Sequence, residues 1–314
     1  MSVTTDRSAG AHPGGTVGPS GSGSNWVGVG AVAGLGLLAG LSSAVLALMG
    51  QARSTTRSIE EAAVEAALAE GTLVPPAIPG ASRAQQRLSD HLVHVRLPQG
   101  DGGYAPDGSR FDDVDIPSPV LNLAMLGDST SVGYGTRSAD ELPGVLLARG
   151  IATHTSRPVR LVSHGLTGAR TSDLPRQLEL CLADPPDVVV ILVGANDLRD
   201  MVPPRRSAAR LGRAVRDLTS SGIPVVVGTC PDFGVITAIP QPLRTVLSTW
   251  SLRLAALQER ATVAAGGASV PLARLVSPQF VGNPQMFARD HFHPSGAGYE
   301  RAVAALLPAA IDLL

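Results

Sequence analysis

Strand-like apolar runs alternate with helix-like segments over the last two-thirds of this chain, and this alternation limits the fold more than any other feature. Residues 120–126 and 188–193 are largely uninterrupted apolar runs, a pattern typical of strands buried on both faces of a sheet. Strands that alternate with helices predict a parallel sheet covered by helices on both faces. The further predicted strands are 159–162, 224–229 and 268–272, and the predicted helices are 143–152, 172–182, 207–220, 245–264 and 296–313.

Polar residues follow the predicted strands at the points where active sites form. Ser129 ends a Gly-Asp-Ser tripeptide just past the first strand, Gly168 follows the second, and Asn196 stands in Gly-Ala-Asn-Asp after the third. Asp290 and His293 precede the last predicted helix in Asp-His-Phe-His-Pro. Because reactive groups in such sheets collect at the carboxyl ends of the strands, we expect these side chains to lie close together.

The residue types suit acyl-transfer chemistry. A serine hydroxyl is a weak nucleophile until a base removes its proton, and His293 is the candidate base for Ser129. Asp290, three residues earlier, would hold one imidazole nitrogen while the other faces the serine. Each motif alone has a simpler explanation, since Asp-Ser and Asn-Asp pairs commonly cap helices or form turns. His291 is expected to point away from the site in an extended loop.

The four motifs, in this order over about 170 residues, resemble those of the SGNH (GDSL-type) hydrolase family. The resemblance covers roughly residues 120–314 and implies a flavodoxin-like three-layer α/β/α sandwich with a central parallel sheet. It also implies a serine esterase with the triad Ser129, Asp290 and His293. The oxyanion would be held by the backbone amides of Ser129 and Gly168 and by the side chain of Asn196. No metal or organic cofactor is implied. The family's usual asparagine upstream of the glycine is replaced here by Ser-His, at residues 163–164.

The first 118 residues divide into three segments. Residues 1–25 are rich in Gly, Ser, Thr and Pro and are predicted to be disordered. Residues 26–49 carry no charge and are long enough to span a bilayer, which predicts a transmembrane anchor or, if cleaved, a signal sequence. Residues 50–118 are predicted to form a helix that a capping box at 58–61 opens, then a linker with an edge element. The catalytic domain is predicted over 119–314, outside the cytoplasm by analogy with exported relatives.

The composition excludes several classes of function. The net charge is −1, so nothing indicates an electrostatic nucleic-acid binder. All 25 basic residues are arginine, which excludes a Schiff-base lysine, a lysine-containing P-loop and a Ser–Lys hydrolase. Cys181 and Cys230 lie beside predicted strands, and we expect them to be buried free thiols.

Three alternatives to a serine esterase stay open at this point. An O-acyltransferase would use the same serine and pass the acyl group to a sugar hydroxyl. A non-catalytic envelope protein could use a degenerate hydrolase scaffold. A metallophosphoesterase is disfavoured because two-metal sites need more carboxylate and histidine ligands on several strands.

The substrate is expected to be a small-molecule, lipid or acylated-sugar ester with a short or medium acyl chain. The acyl pocket is predicted to form from three loops, residues 133–141, 230–243 and 277–289. The apolar residues of these loops are Phe233, Ile236, Ile239, Phe280 and Phe287.

Overall fold

The computed structural model describes residues 47–48, 50–59, 61–62, 65, 73–74, 94–95, 98–111 and 119–314. The predicted tail at 1–25 and nearly all of the predicted span at 26–49 lie outside these residues, so both stay predictions. Within the described residues, no helix is long and apolar enough to cross a membrane. From Leu48 onward the described residues belong to one compact unit, Leu48–Leu314.

The elements between residues 119 and 314 alternate as the sequence predicts. In chain order, the strands of the whole described chain are β1 (Leu73–Val74), β2 (His94–Val95), β3 (Gly102–Tyr104), β4 (Arg110–Phe111), β5 (Leu121–Gly127), β6 (Val159–Ser163), β7 (Val188–Leu192), β8 (Val225–Gly228) and β9 (Ala268–Val270). The helices from residue 143 onward are α1 (Pro143–Thr155), α2 (Leu174–Leu182), α3 (Ala195–Arg199), α4 (Pro204–Ser220), α5 (Leu243–Ala264), α6 (Leu272–Leu275) and α7 (Gly296–Ile311).

A mostly parallel sheet forms the centre of the molecule. Its described strands lie in the order β4-β3-β6-β5-β7-β8-β9, and neighbours from β6 to β9 pair in parallel. Counted along the chain, the five parallel strands have the order 2-1-3-4-5, which is the flavodoxin-like arrangement. β6, the next strand along the chain after β5, lies on one side of β5, and the following strand, β7, lies on its other side. The carboxyl end of β5 is therefore the place where the fold opens a crevice.

Alternate residues of β5, β7 and β8 enter two separate hydrophobic cores. In β7, Val188, Val190 and Leu192 pack into the core under α1 and α7. Val189 and Ile191 pack on the opposite face, under α2 and α4. Burial on both faces explains why this strand contains no polar residue, since successive side chains point to opposite sides of a sheet. The predicted three-layer arrangement follows from this division.

Two short strands extend the sheet at one edge, within the segment for which the sequence predicts a linker with an edge element. Gly102–Tyr104 pairs antiparallel with β6, and Arg110–Phe111 pairs antiparallel with β3. The sheet therefore begins before residue 119, the predicted start of the catalytic domain. At the other end, the strand predicted over 268–272 stops at Val270, and Leu272 already begins a helix.

The helix near residue 58 begins earlier than the capping box predicts, and this part of the prediction is wrong. Residues 50–59 are already helical, and the Ser58 hydroxyl donates to the Ser54 carbonyl at 3.1 Å within the helix. A serine can satisfy its hydroxyl in this way without ending or starting a helix. The side-chain amide of Gln51 also donates to the Gln241 carbonyl and accepts from the Leu243 amide, at 2.8 and 3.1 Å. This helix is thus attached to the start of α5.

Candidate active site

The turn after β5 carries Ser129 and depends on a glycine. Gly127 has φ +130°, and a Cβ at this position would lie 1.8 Å from the carbonyl oxygen of Leu192 in β7. Only a residue without a side chain allows β5 and β7 to approach so closely here. The side-chain amide of Gln177 accepts from the Gly127 N–H at 2.7 Å and donates to its carbonyl at 2.8 Å. The turn is therefore held from the sheet side and from α2.

Asp128 ties the same turn to the loop after β7. Its buried carboxylate accepts from the Thr130 amide at 2.9 Å and from the Gly194 amide at 3.1 Å. Burial raises the pKa of Asp128, and these hydrogen bonds partly oppose the rise. The residue is a structural link between two loops, since both carboxylate oxygens are committed to backbone amides.

Ser129, His293 and Asp290 form one hydrogen-bonded chain. The Ser129 hydroxyl oxygen lies 3.0 Å from His293 Nε2, and His293 Nδ1 lies 2.6 Å from an oxygen of Asp290. The second Asp290 oxygen accepts from the amides of Phe292 and His293, at 3.0 and 2.9 Å. The sequence separates Ser129 from His293 by 164 positions, yet the fold places them within hydrogen-bond reach, as proton transfer requires.

The environment of Asp290 favours its charged form. Burial alone would raise the pKa of this carboxyl, but the hydrogen bond and the charge of His293 and the two backbone amides hold the pKa below its ordinary value. A carboxylate beside Nδ1 favours the imidazole tautomer with its proton on Nδ1, which leaves Nε2 as an acceptor facing the Ser129 hydroxyl.

Aromatic rings hold the imidazole of His293 in place. The Tyr134 ring centroid lies 4.4 Å from that of His293, and the Phe292 centroid lies 5.1 Å away in an edge-on contact. Burial, with added repulsion from the Asp290 carboxylate, raises the pKa of Tyr134 to about 12. The phenol therefore stays neutral throughout the neutral and mildly alkaline pH range.

The Gly168 and Asn196 loops are connected to each other and to the Ser129 turn. Asn196 donates its side-chain amide to the Ala169 carbonyl at 2.9 Å. The buried Asp197 accepts from the amide and the hydroxyl of Thr171, at 2.9 and 2.6 Å. The Leu166 amide donates to the Gly127 carbonyl at 3.0 Å. Gly168 itself is exposed with φ +83°, and a Cβ there would meet nothing within 4 Å.

The two ends of the predicted site differ in how closely they are joined. Within the described part of the chain, hydrogen bonds join the three triad residues directly. The Gly168 and Asn196 segments connect to the Ser129 turn less directly, through the Leu166 amide and through the Gly194 amide, which donates to the Asp128 carboxylate. His291 has φ +55°, so the backbone turns at this residue and the extended loop predicted there is wrong. The Ser295 side chain caps α7 by accepting from the Gly298 amide.

A mostly apolar cavity opens beside Ser129 and His293, with a volume of about 850 Å³ including its mouth. Two of the three predicted loops contribute to its lining, through Phe233, Ile236, Phe280 and Phe287. The lining of this cavity does not include the loop at 133–141 or Ile239, and Ile239 packs in a core cluster.

Cys230 also lines this cavity. Burial, with repulsion from nearby aspartates, raises the pKa of its thiol well above the ordinary value. Cys230 and Cys181 are both buried free thiols, as expected.

Several residues that shape the site were not singled out from the sequence. They are Gln177, Asp197, Tyr134 and Thr229. Gln177 could have been noticed because it interrupts the apolar stripe of Leu174, Leu178 and Cys181 on α2, where a buried amide needs partners. Tyr134 and His293 lie far apart in the sequence, so no local sequence pattern predicts that their rings are in contact.

Arg170 has an acidic partner in the structure. Its guanidinium lies 3.2 Å from Asp200 on the neighbouring loop. This ion pair is partly exposed, and such pairs contribute little to stability. Among the described residues, no group of three or more His, Cys, Asp or Glu side chains is arranged to hold a metal ion.

Comparison with known proteins adds independent information on this domain. Residues 125–301 match the family model of the GDSL-like lipase/acylhydrolases. The chain is 44% identical over 222 residues to the GDSL-like esterase Rv1075c of Mycobacterium tuberculosis, an alignment covering 69% of this chain and 70% of the relative. The crystal structure of TesA is similar with a TM-score of 0.51 and 21% identity, covering 62% of this chain and 100% of that chain. The crystal structure of a lipase/acylhydrolase from Enterococcus faecalis gives a TM-score of 0.48 and 24% identity, over 60% and 94% of the two chains.

Proposed function

Because this chain belongs to the GDSL-like lipase/acylhydrolase family, we propose that it is a serine esterase in which Ser129, His293 and Asp290 hydrolyse carboxylic esters. The observation that supports this assignment best is the continuous hydrogen-bonded chain from the Ser129 hydroxyl through His293 to Asp290. The curated relative is described as an esterase, which agrees with this class of reaction.

Acylation begins when His293 Nε2 takes the proton from the Ser129 hydroxyl as the serine oxygen bonds to the ester carbonyl carbon. The carbonyl oxygen becomes negative, and donors that are already in place stabilise it. We assign this role to the amides of Ser129 and Gly168 and to the Asn196 side chain. The imidazolium then gives its proton to the leaving alcohol as the ester C–O bond breaks, which leaves an acyl-serine.

Deacylation repeats these steps with water. His293 removes a proton from the water molecule while the water oxygen attacks the acyl carbon. The proton then passes to the Ser129 oxygen, and the acid leaves. Asp290 stays a carboxylate throughout and stabilises the imidazolium that forms in both halves, which its lowered pKa supports.

The cavity beside Ser129 is the proposed acyl site. Its phenylalanine and isoleucine side chains would exclude water from a short or medium acyl chain, and burial of each methylene is worth about 0.8 kcal/mol. The space is large enough for chains longer than acetyl, so the proposal includes both short and medium chains.

The test is hydrolysis of p-nitrophenyl esters from acetate to palmitate by the full chain and its Ser129→Ala and His293→Ala variants. We expect both substitutions to lower kcat by roughly six orders of magnitude, as in other triads. His291→Ala is the matched control, because this exposed histidine lies two residues away and should keep full activity.

Two results would count against the proposal. Full activity in Ser129→Ala would show that another group is the nucleophile. Release of p-nitrophenol that depends on an added sugar or alcohol, with an ester instead of an acid as product, would favour the O-acyltransferase alternative.

A further inference from the structure

One face of helix α7 forms a wall of the cavity beside the triad. Pro294, just before the helix, and Gly298 and Ala302 within it all line the cavity. They follow one another at a spacing of four residues, and residues at this spacing lie on the same face of a helix. Because α7 begins at Gly296, directly after the His293 segment, this face leads away from the triad.

The residues on this face are small, and the cavity extends along them into the core. Gly298 has no side chain, and a Cβ there would lie 2.4 Å from the Met286 carbonyl oxygen and 2.9 Å from Phe280 Cζ. Ala302 carries only a methyl group, belongs to the core under α7 and is 7% exposed. Other members of the same core also line the cavity, namely Leu192, Leu272 and Val276.

The next residue on this face closes the cavity. Leu306 follows Ala302 by four positions, is fully buried and lies outside the cavity lining. A Cβ on Gly228, the last residue of β8, would lie 3.2 Å from Leu306 Cδ2 and 2.4 Å from Leu192 Cδ2. The Leu306 side chain therefore packs against the end of β8. Along this face of α7, the inner end of the cavity lies between Ala302 and Leu306.

The distance along α7 indicates which acyl chains reach this inner end. Gly298 and Ala302 are four residues apart, which corresponds to about 6 Å along the helix axis. An extended carbon chain advances about 1.3 Å per bond, so it needs about five bonds to cover this stretch alone. A butyryl group on Ser129 is therefore too short to reach Ala302. Octanoyl and decanoyl groups exceed this minimum length.

We propose that the acyl chain of the substrate runs along α7 from Ser129 into the core, and that Ala302 sets the longest chain that fits. The preferred substrates are then esters of medium-chain acids, of the length of octanoate and decanoate, because such chains bury their last methylenes beside Ala302. This inference rests on the proposed function, since it assumes that the cavity receives the acyl group bound to Ser129.

The experiment measures kcat/KM of the full chain and its variants for p-nitrophenyl butyrate, hexanoate, octanoate and decanoate. For each enzyme, the readout is the ratio of kcat/KM for each longer ester to kcat/KM for butyrate. All four substrates share one leaving group. Butyrate is the internal reference, because its acyl group ends before Ala302 and reports only on the chemistry near Ser129.

Ala302→Leu places a larger side chain at the inner end of the cavity. We expect the ratio for decanoate to fall about tenfold or more, which corresponds to the lost burial of about two methylenes. The ratio for hexanoate should fall least. A substitution that only disturbed the triad would lower kcat/KM for all four esters alike and leave the ratios unchanged. Ala302→Val adds less volume and should give the same order of effects at a smaller size if the leucine variant fails to fold.

Ala304→Leu is the matched control. It makes the same substitution on the same helix, but Ala304 is exposed and lies outside the cavity lining. Its ratios should equal those of the wild type.

A decanoate ratio that stays at the wild-type value in the folded variant at position 302 would overturn the proposal. An equal fall in Ala304→Leu would also overturn it, because the effect would then not depend on the cavity. Failure of the esterase assignment gives a different result, which is hydrolysis of butyrate that survives Ser129→Ala.

Discussion

At the scale of single residues, the geometry and charge of the candidate site depend on individual positions such as Gly127 and Asp290. Gly127 brings the Ser129 turn into contact with β7, with no space for a Cβ against the Leu192 carbonyl. Asp290 keeps its charge in a buried position because His293 and two backbone amides surround it. Gly127 determines the backbone conformation of the Ser129 turn, and Asp290 determines the charge beside His293.

Substitution of Gly127 by alanine should destabilise the protein by about 3 kcal/mol or more, since it adds backbone strain to a clash with a neighbouring strand. Urea unfolding monitored by circular dichroism would measure the change. Gly222→Ala is the control, because Gly222 has φ +76° and space around its Cβ position. That variant carries only the strain, about 1–2 kcal/mol. Equal losses in the two variants would show that the contact with Leu192 is not the dominant cost.

Asp290 gives a pH dependence of stability with a definite sign. Its folded pKa is lower than the ordinary value of 3.8, so the folded state favours the carboxylate. The stabilisation is fully present above about pH 5 and is lost as the pH falls through 3.8 towards the folded value. The difference in the free energy of unfolding between wild type and Asp290→Asn should therefore shrink between pH 5 and pH 3.

Urea unfolding at pH 7, 5, 4 and 3 would test this dependence, with Asp312→Asn as a control at an exposed position. A difference between wild type and Asp290→Asn that stays constant or grows in acid would contradict the assigned environment of Asp290.

At the scale of elements, two buried glutamines attach helices to the ends of strands. Gln177 on α2 accepts from and donates to the backbone of Gly127. Gln258 on α5 accepts from the Cys230 amide at 2.7 Å and donates to the Val193 carbonyl at 2.8 Å. A primary amide has both a donor and an acceptor, so it can pair with a strand end as another strand would. Both helices thereby fix loops that border the site.

The Gln177→Leu variant should be less stable by about 2–4 kcal/mol, because it leaves the buried Gly127 amide without an acceptor. The free energy of unfolding in urea, together with kcat on a short p-nitrophenyl ester, would report both the stability and the position of Ser129. Gln279→Leu is the control, since the Gln279 hydrogen bond to Leu275 is exposed, and its effect should stay within about 0.5 kcal/mol. A neutral Gln177→Leu would mean that water replaces the lost amide.

The elements that the sequence predicted well are those whose burial leaves a pattern. Strands β5, β7 and β8 lie between two cores, so their apolar runs locate them to within one or two residues. The prediction that Ser129, Asp290 and His293 lie close together followed from their positions at a strand end and before the last helix, and the structure places them within hydrogen-bond distance. The amide links could not be predicted in the same way, because a glutamine gives no sign of which distant backbone it meets. The start of the helix around residue 58 was missed because its docking contact lies about 190 positions away, at Gln241 and Leu243.

At the scale of the whole molecule, the fold brings distant parts of the sequence to one edge of the sheet. Ser129 comes from the turn after the first parallel strand and His293 from the loop before the last helix, and loops after β8 and after α6 line the cavity beside them. The candidate site is thus assembled from both ends of the domain. Its geometry should be lost on global unfolding together with the two cores.

The antiparallel pair β3 and β4 also has a consequence for the behaviour of the protein in solution. β3 covers the outer edge of β6 with backbone hydrogen bonds, and both strands lie before the region that matches the family model. A chain that begins at residue 119 would leave β6 as a bare edge, open to pairing with another copy of itself. We expect such a shortened chain to form large assemblies in size-exclusion chromatography, whereas a chain that begins at residue 98 should elute as a smaller species. Equal elution of the two chains would mean that β6 is protected without its antiparallel neighbour. If the two chains elute as expected, a few residues outside the candidate active site control whether the protein associates in solution.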